Sequence, residues 1–108
     1  MELNVRVVCR HETAAGFALA GLVADEAQDG PAATLALKRL TSDREVGLVL
    51  IEDRLHRELS PELLARLDRQ GLPIVAPFPS PRWDRQGLAE EYVLEILRRA
   101  IGYRVRPR

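Results

Sequence analysis

The sequence predicts an α/β fold: one small domain with a four-stranded, mostly parallel sheet flanked by helices, followed by a C-terminal helix and a basic tail. The first observation is the run Val46-Gly47-Leu48-Val49-Leu50-Ile51, closed by Glu52-Asp53. A half-solvated strand would alternate apolar with polar residues, so a run with no polar side chain describes a strand buried on both faces at the centre of a parallel sheet. The second is a pair of further apolar runs, Leu3 to Cys9 and Leu72 to Ala76, separated by helix-like segments as parallel crossovers require. The third is length: 108 residues hold one hydrophobic core and leave no room for two.

In order, Val5, Val7 and Cys9 alternate with Arg6 and Val8, which predicts a strand with one face fully buried and the other partly covered, ending at Cys9-Arg10-His11. From Thr13 the chain reads Thr13-Ala14-Ala15-Gly16-Phe17-Ala18-Leu19-Ala20-Gly21, a helix of small residues whose only bulk is Phe17 and Leu19, closed by Gly21 as a C-terminal cap. Gly16 inside a helix costs about 1 kcal/mol against Ala, so a neighbour is expected hard against it. Leu22-Val23-Ala24 predicts a brief second strand. Asp29-Gly30-Pro31 then opens a helix, with Pro31 at the first position, where its missing N–H is harmless, and Ala33, Leu37 and Leu40 on one face.

After the central strand, Ser60 caps a helix that begins at Pro61, with Leu59 placed to pack on Leu64, and Gly71 ends it. Leu72-Pro73-Ile74-Val75-Ala76 predicts the last strand, with Pro73 at its first position. The prolines from Pro77 to Pro81 form a stiff link between a sheet domain, residues 1–80, and a C-terminal helical arm, residues 81–108, which either joins the same globular unit or moves. In that arm Asp84 caps a helix whose Val93, Ile96, Leu97, Ala100 and Ile101 share one face. Glu90 and Glu91 early and Arg98 and Arg99 late suit the helix dipole, and Gly102 is the expected end.

Composition bounds the function. Apolar residues make 46% of the chain and charged residues 30%, with no apolar run near the roughly 18 residues of a membrane span, so any membrane role runs through a partner. Met1-Glu2-Leu3-Asn4 lacks the basic flank of a secretion signal and the one cysteine forms no internal disulfide, which predicts a cytoplasmic location. Formal net charge is zero, which speaks against nucleic-acid binding by the whole chain. The charge is nevertheless uneven. Residues 98–108 carry five arginines and no acid, leaving eleven cations against sixteen acids elsewhere, a net −5. Among these arginines only Tyr103 offers a stacking ring, too little for a nucleic-acid surface, whereas docking on an acidic protein surface fits both the arginines and the apolar stripe.

A parallel sheet of the receiver-like or Rossmann-like kind binds ligands at the carboxyl ends of its strands. A phospho-receiver needs acids there to hold a magnesium ion beside the acceptor aspartate, but Arg10 and His11 follow the first strand, so Asp53 is expected to cap a turn or helix. Gly16 and Gly21 have the spacing of a phosphate loop's glycines, yet Leu22-Val23 stand where Lys and Ser or Thr are needed, and no Rossmann glycine fingerprint follows the first strand. Cys9 is expected to be a buried structural thiol and His56 a solvated loop residue. One cysteine and two dispersed histidines make no zinc site, so neither a cofactor nor a metal is expected.

On Thr13, Gly16, Phe17, Leu19 and Gly21 the sequence resembles the F subunit of the V-type (archaeal and bacterial A/V-type) rotary ATPases, a family with T-x-x-G-F-x-L-A-G straight after the first strand. The resemblance continues through the strand ending at Glu52, through Pro73-Ile74-Val75 to Pro79-Ser80, and into Arg98-Arg99-Ala100-Ile101-Gly102-Tyr103. The family often has an acid where Arg10 stands here. The resemblance implies a protein without catalytic residues of its own, a rotor part of the central stalk of a proton- or sodium-translocating ATPase or ATP synthase. It further implies a partner in the long coiled coil of the stalk, the D subunit, and contact with the catalytic head. A role in coupling or regulating rotation, and a place peripheral to the membrane through the complex, are implied as well.

Candidate partner-binding residues are Val93, Leu97, Arg98, Arg99, Tyr103, Arg104 and Arg106. The alternative reading is a degenerate response-regulator-like interaction module without phosphorylation chemistry. A chain ending at Ser80 is expected to stay folded yet to bind the stalk less tightly.

Overall fold

A strand buried on both faces needs a strand on each side and a helical layer above and below. The computed structural model, which describes residues 3–80 and 89–104 with side chains at 3–80 and 93–100, supplies both. The elements are β1 (Asn4–Cys9), α1 (His11–Leu19), β2 (Val23–Glu26), α2 (Gly30–Thr41), β3 (Val46–Glu52), α3 (Asp53–His56), α4 (Pro61–Gln70), β4 (Ile74–Phe78) and α5 (Ala89–Arg104). The sheet order is β2-β1-β3-β4, and all three pairings are parallel. Because β1 pairs with both β2 and β3, the chain reverses its winding between β1 and β3, and the carboxyl ends of these two strands meet at the fold's switch point.

Alternate residues of the central strands serve two cores. On one face Val8, Val49 and Ile51 pack with Leu37 and Leu40 of α2, Leu55 of α3 and Leu63 and Leu67 of α4. On the other, Val7, Cys9, Leu50, Ala76 and Phe78 pack with Phe17 of α1 and with Val93, Ile96 and Ala100 of α5. The Phe17 and Phe78 rings meet edge to face at 5.0 Å and 67°, an arrangement worth about 0.5–1.5 kcal/mol beyond the area it buries.

Local signals account for several boundaries. The Asp29 carboxylate accepts from the Ala32 N–H at 2.9 Å and caps α2, and the Ser60 hydroxyl accepts from the Leu63 N–H at 3.1 Å and caps α4. Gly21 and Gly71 close α1 and α4 at φ of +82° and +80°, where a Cβ would be strained.

Other boundaries move for non-local reasons. β1 is buried on both faces at Val7, Val8 and Cys9 because it is a second central strand. α1 starts at His11, two residues early, and β2 runs from Val23 to Glu26, set by its pairing with Arg6 to Cys9. β4 runs through Pro77 to Phe78. It is an edge strand, where a missing ladder donor is tolerated, so the linker begins later than Pro77. Pro73 precedes β4 instead of opening it. His56 lies in α3 and is half-buried, not solvated, and burial pushes its pKa down. α5 passes through Gly102 to Arg104, while Pro81 and Asp84 lie outside the described residues.

Gly16 is buried on the inner side of α1. Gly16→Leu is expected to lower stability, or affinity for a partner, by about 1–3 kcal/mol through overpacking, read by thermal melting and pull-down. Unchanged results in both assays would contradict that reading.

Candidate functional site

The switch point between β1 and β3 is where a sheet of this kind receives a ligand. Here two oppositely charged side chains from the ends of those strands fill it. Glu52 ends β3 and its side chain is fully buried. Its Oε1 accepts from the Arg10 backbone N–H at 2.9 Å, and its Oε2 accepts from Arg10 Nη2 at 2.8 Å and Nε at 3.2 Å. The same Oε2 accepts from the Thr13 hydroxyl at 3.0 Å and the Ser80 hydroxyl at 2.6 Å. Burial alone would raise the Glu52 pKa. The Arg10 side chain, the Arg10 amide and the Ser80 and Thr13 hydroxyls outweigh it and bring it from 4.5 down to about 2. The carboxylate is therefore charged at neutral pH and saturated with donors. It makes a clamp, not a general base.

Three separate pieces of the chain meet at this cluster: Thr13 from the first turn of α1, Glu52 itself from β3 and Ser80 beyond β4. They are the threonine of the T-x-x-G-F pattern, the residue that closes the central strand and the serine of the Pro79-Ser80 pair. Arg10, where the resembling family often has an acid, is half-buried and provides the counter-charge.

Nearby groups are structural as well. Cys9 is fully buried, and burial together with Glu52 and Glu26 pushes its thiol up to about 12, so no thiolate forms near neutrality. His11, on the surface, pairs with Glu26 at 2.8 Å and is held above its usual pKa by that hydrogen bond. Asp53, expected as a cap, is the first residue of α3, and its carboxylate accepts from Arg57 at 3.2 Å and from the Ser80 hydroxyl at 3.3 Å.

The remaining signature residues divide by face. Phe17 is fully buried and Gly16 lies on the same inner side, whereas Leu19 is 79% exposed. Gly21 turns the chain into β2, and beside it Ala20 and Leu22 line an apolar groove of about 260 Å³ with Val93, Leu94 and Leu97 of α5.

On α5, Arg98 and Arg99 point outward and reach Glu95 at 3.7 and 3.4 Å, exposed pairs worth little to stability. Val93 does not share that face. It packs into the core beneath α5 because it lies on the helix's apolar stripe, and Leu97 is half-buried at the groove, so neither joins Arg98 and Arg99 in a surface patch. The side chains of Tyr103, Arg104 and Arg106 lie outside the described residues.

Sequence reasoning missed the clamp. Its signal was opposite charge just beyond two strands, readable only once those strands are known to be neighbours. Among the described residues no group of three side chains is placed to hold a metal ion, and no helix is long and apolar enough to cross a membrane.

No curated protein sequence matches the chain. The crystal structure of the F subunit of the V-type ATP synthase from Archaeoglobus fulgidus superposes with a TM-score of 0.65 over 72% of this chain and 99% of that one, at 22% identity, which establishes the fold. Residues 5–96 match the ATP synthase (F/14-kDa) subunit family from the first strand into the last helix. The chain therefore belongs to the ATP synthase (F/14-kDa) subunit family.

Proposed function

We propose that this chain is a non-catalytic rotor component in the central stalk of a V-type proton- or sodium-translocating ATPase or ATP synthase. In this reading it binds the stalk's coiled-coil D subunit and couples or regulates rotation inside the catalytic head. The observation that carries the reading is the filled switch point, taken with family membership. The clamp of Arg10 on Glu52 leaves helix faces as the surface with which the domain can act. The protein would sit in the cytoplasm, peripheral to the membrane through its complex.

The arm of residues 81–108 would be the regulatory element. Arg98 and Arg99 are exposed and among the described residues pair with Glu95 alone, so an acidic stretch of the partner would recruit them at small cost. Val93 and Leu97 would meet that partner only when α5 lifts from the sheet, exchanging one apolar surface for another.

Co-expression with the long coiled-coil D subunit tests the reading and should yield a stable one-to-one complex. Arg98→Glu with Arg99→Glu should weaken that complex about tenfold, with the difference shrinking at high salt. A chain that forms no complex would return the domain to the class of receiver-like interaction modules.

A further inference from the structure

The face of the sheet opposite α5 carries a second feature that the rotor reading does not use. α2 and α4 stand apart there, and between them runs a groove of two adjoining hollows, about 390 and 310 Å³, that share Lys38, Leu63 and Arg66. Its walls are helical stripes: Thr34, Lys38 and Thr41 from α2, and Leu63, Arg66 and Gln70 from α4. From Thr34 to Thr41 the groove runs about 10 Å along α2. Arg69 adds a third cation, and Glu62 is the one acid among the lining residues.

These cations differ from six of the eight other arginines whose side chains are described. Arg6, Arg10, Arg39, Arg57, Arg98 and Arg99 all have carboxylate partners. Among the described residues Lys38, Arg66 and Arg69 have none, although three positive charges converge in one groove. Leu35, one turn before Lys38 on α2, is 68% exposed and gives an occupant an apolar foothold beside the charge.

We infer that this α2–α4 groove is a docking surface for an acidic amphipathic helix of a protein partner. Two parallel stripes of helical side chains accept a third helix by ridge-in-groove packing, and carboxylates on that helix answer Lys38, Arg66 and Arg69. A nucleic acid fits poorly, since no aromatic ring lines the groove for stacking. A small phosphate fits poorly too. The start of α4 is already complemented, with the Ser60 hydroxyl accepting from the Leu63 N–H and Glu62 in the first turn. The groove lies on the other face from α5, so it stands independently of the rotor assignment.

The test uses the full chain and a fluorescein-labelled helical peptide with glutamates flanking a stripe of leucines, read by fluorescence anisotropy. Binding is expected at low salt and should fade at high salt. Lys38→Glu with Arg66→Glu should weaken it at least tenfold, whereas Arg44→Glu with Arg54→Glu, at two exposed arginines that do not line the groove, should leave it within twofold. If the charge reversal unfolds the chain by circular dichroism, Lys38→Gln with Arg66→Gln takes its place, with a weakening of at least threefold expected. Equal loss from the Arg44 and Arg54 variant would reduce the effect to general attraction and overturn the inference, as would absence of binding by the intact chain. Tighter binding to inorganic phosphate, RNA or phosphatidylserine vesicles than to the peptide would overturn the choice of occupant.

Discussion

Replacing Arg10 with Ala is expected to destabilise the domain by about 3–5 kcal/mol at pH 7, because it leaves the fully buried Glu52 carboxylate without its cation. The loss far exceeds that of a surface pair, because water cannot replace Arg10 at a side chain that the fold excludes from solvent. The pH dependence makes the result specific. In the intact protein the Glu52 pKa falls from 4.5 to about 2, so its ionisation stabilises the fold fully above about pH 5. That contribution is lost as pH falls through the folded value, and it amounts to roughly 3 kcal/mol.

In the Arg10→Ala protein the folded Glu52 pKa is expected to rise toward or past its unfolded value, because burial is then opposed only by the Arg10 amide and the Ser80 and Thr13 hydroxyls. The penalty of the substitution is therefore largest at neutral pH and shrinks in acid, where the carboxyl takes up its proton. Urea melts of both proteins from pH 7 to pH 3 measure the difference directly. A penalty below 1 kcal/mol at pH 7, or one that does not shrink in acid, would show that Arg10 does not hold Glu52 as described.

The same clamp shows what a sequence of this kind discloses and what it withholds. β3 was legible because burial on both faces leaves a run of residues without alternation, and the Ser60 cap and the helix start at Asp29-Gly30-Pro31 were legible because each signal acts within three residues. α1 carried a readable pattern, yet the work of Thr13 was hidden. Its partner Glu52 lies 39 residues away, and the two meet only because β1 and β3 are neighbours. The register of β2 was hidden likewise, since its pairing with β1 decides which residues form the strand. The α2–α4 groove was out of reach for the same reason: Lys38 and Arg66 sit on different helices, and only the packing of both helices on β3 brings them together.

The C-terminal helix gives the other large expected effect. The proline link and the concentrated arginines suggest an arm that a chain ending at Ser80 could lose while staying folded. The packing changes that expectation, because Val93, Ile96 and Ala100 lie in the same core as Phe17, Leu50 and Phe78. Burying Val93 and Ile96 is worth roughly 1.5–3 kcal/mol each, and removing α5 would also expose the apolar residues beneath it. Against a total stability of about 5–15 kcal/mol, a chain ending at Ser80 should be unfolded or only loosely packed at 37 °C, read by circular dichroism and amide exchange. Ile96→Ala is the milder test and should cost about 2–5 kcal/mol by leaving a cavity over the sheet. Should the shortened chain melt as the full one does, α5 contributes little to the core, and the apolar stripe of Val93, Ile96 and Ala100 is then free to serve a partner. If instead it unfolds while binding of the coiled-coil partner rescues its structure, that partner supplies the apolar cover that α5 provides in the free protein.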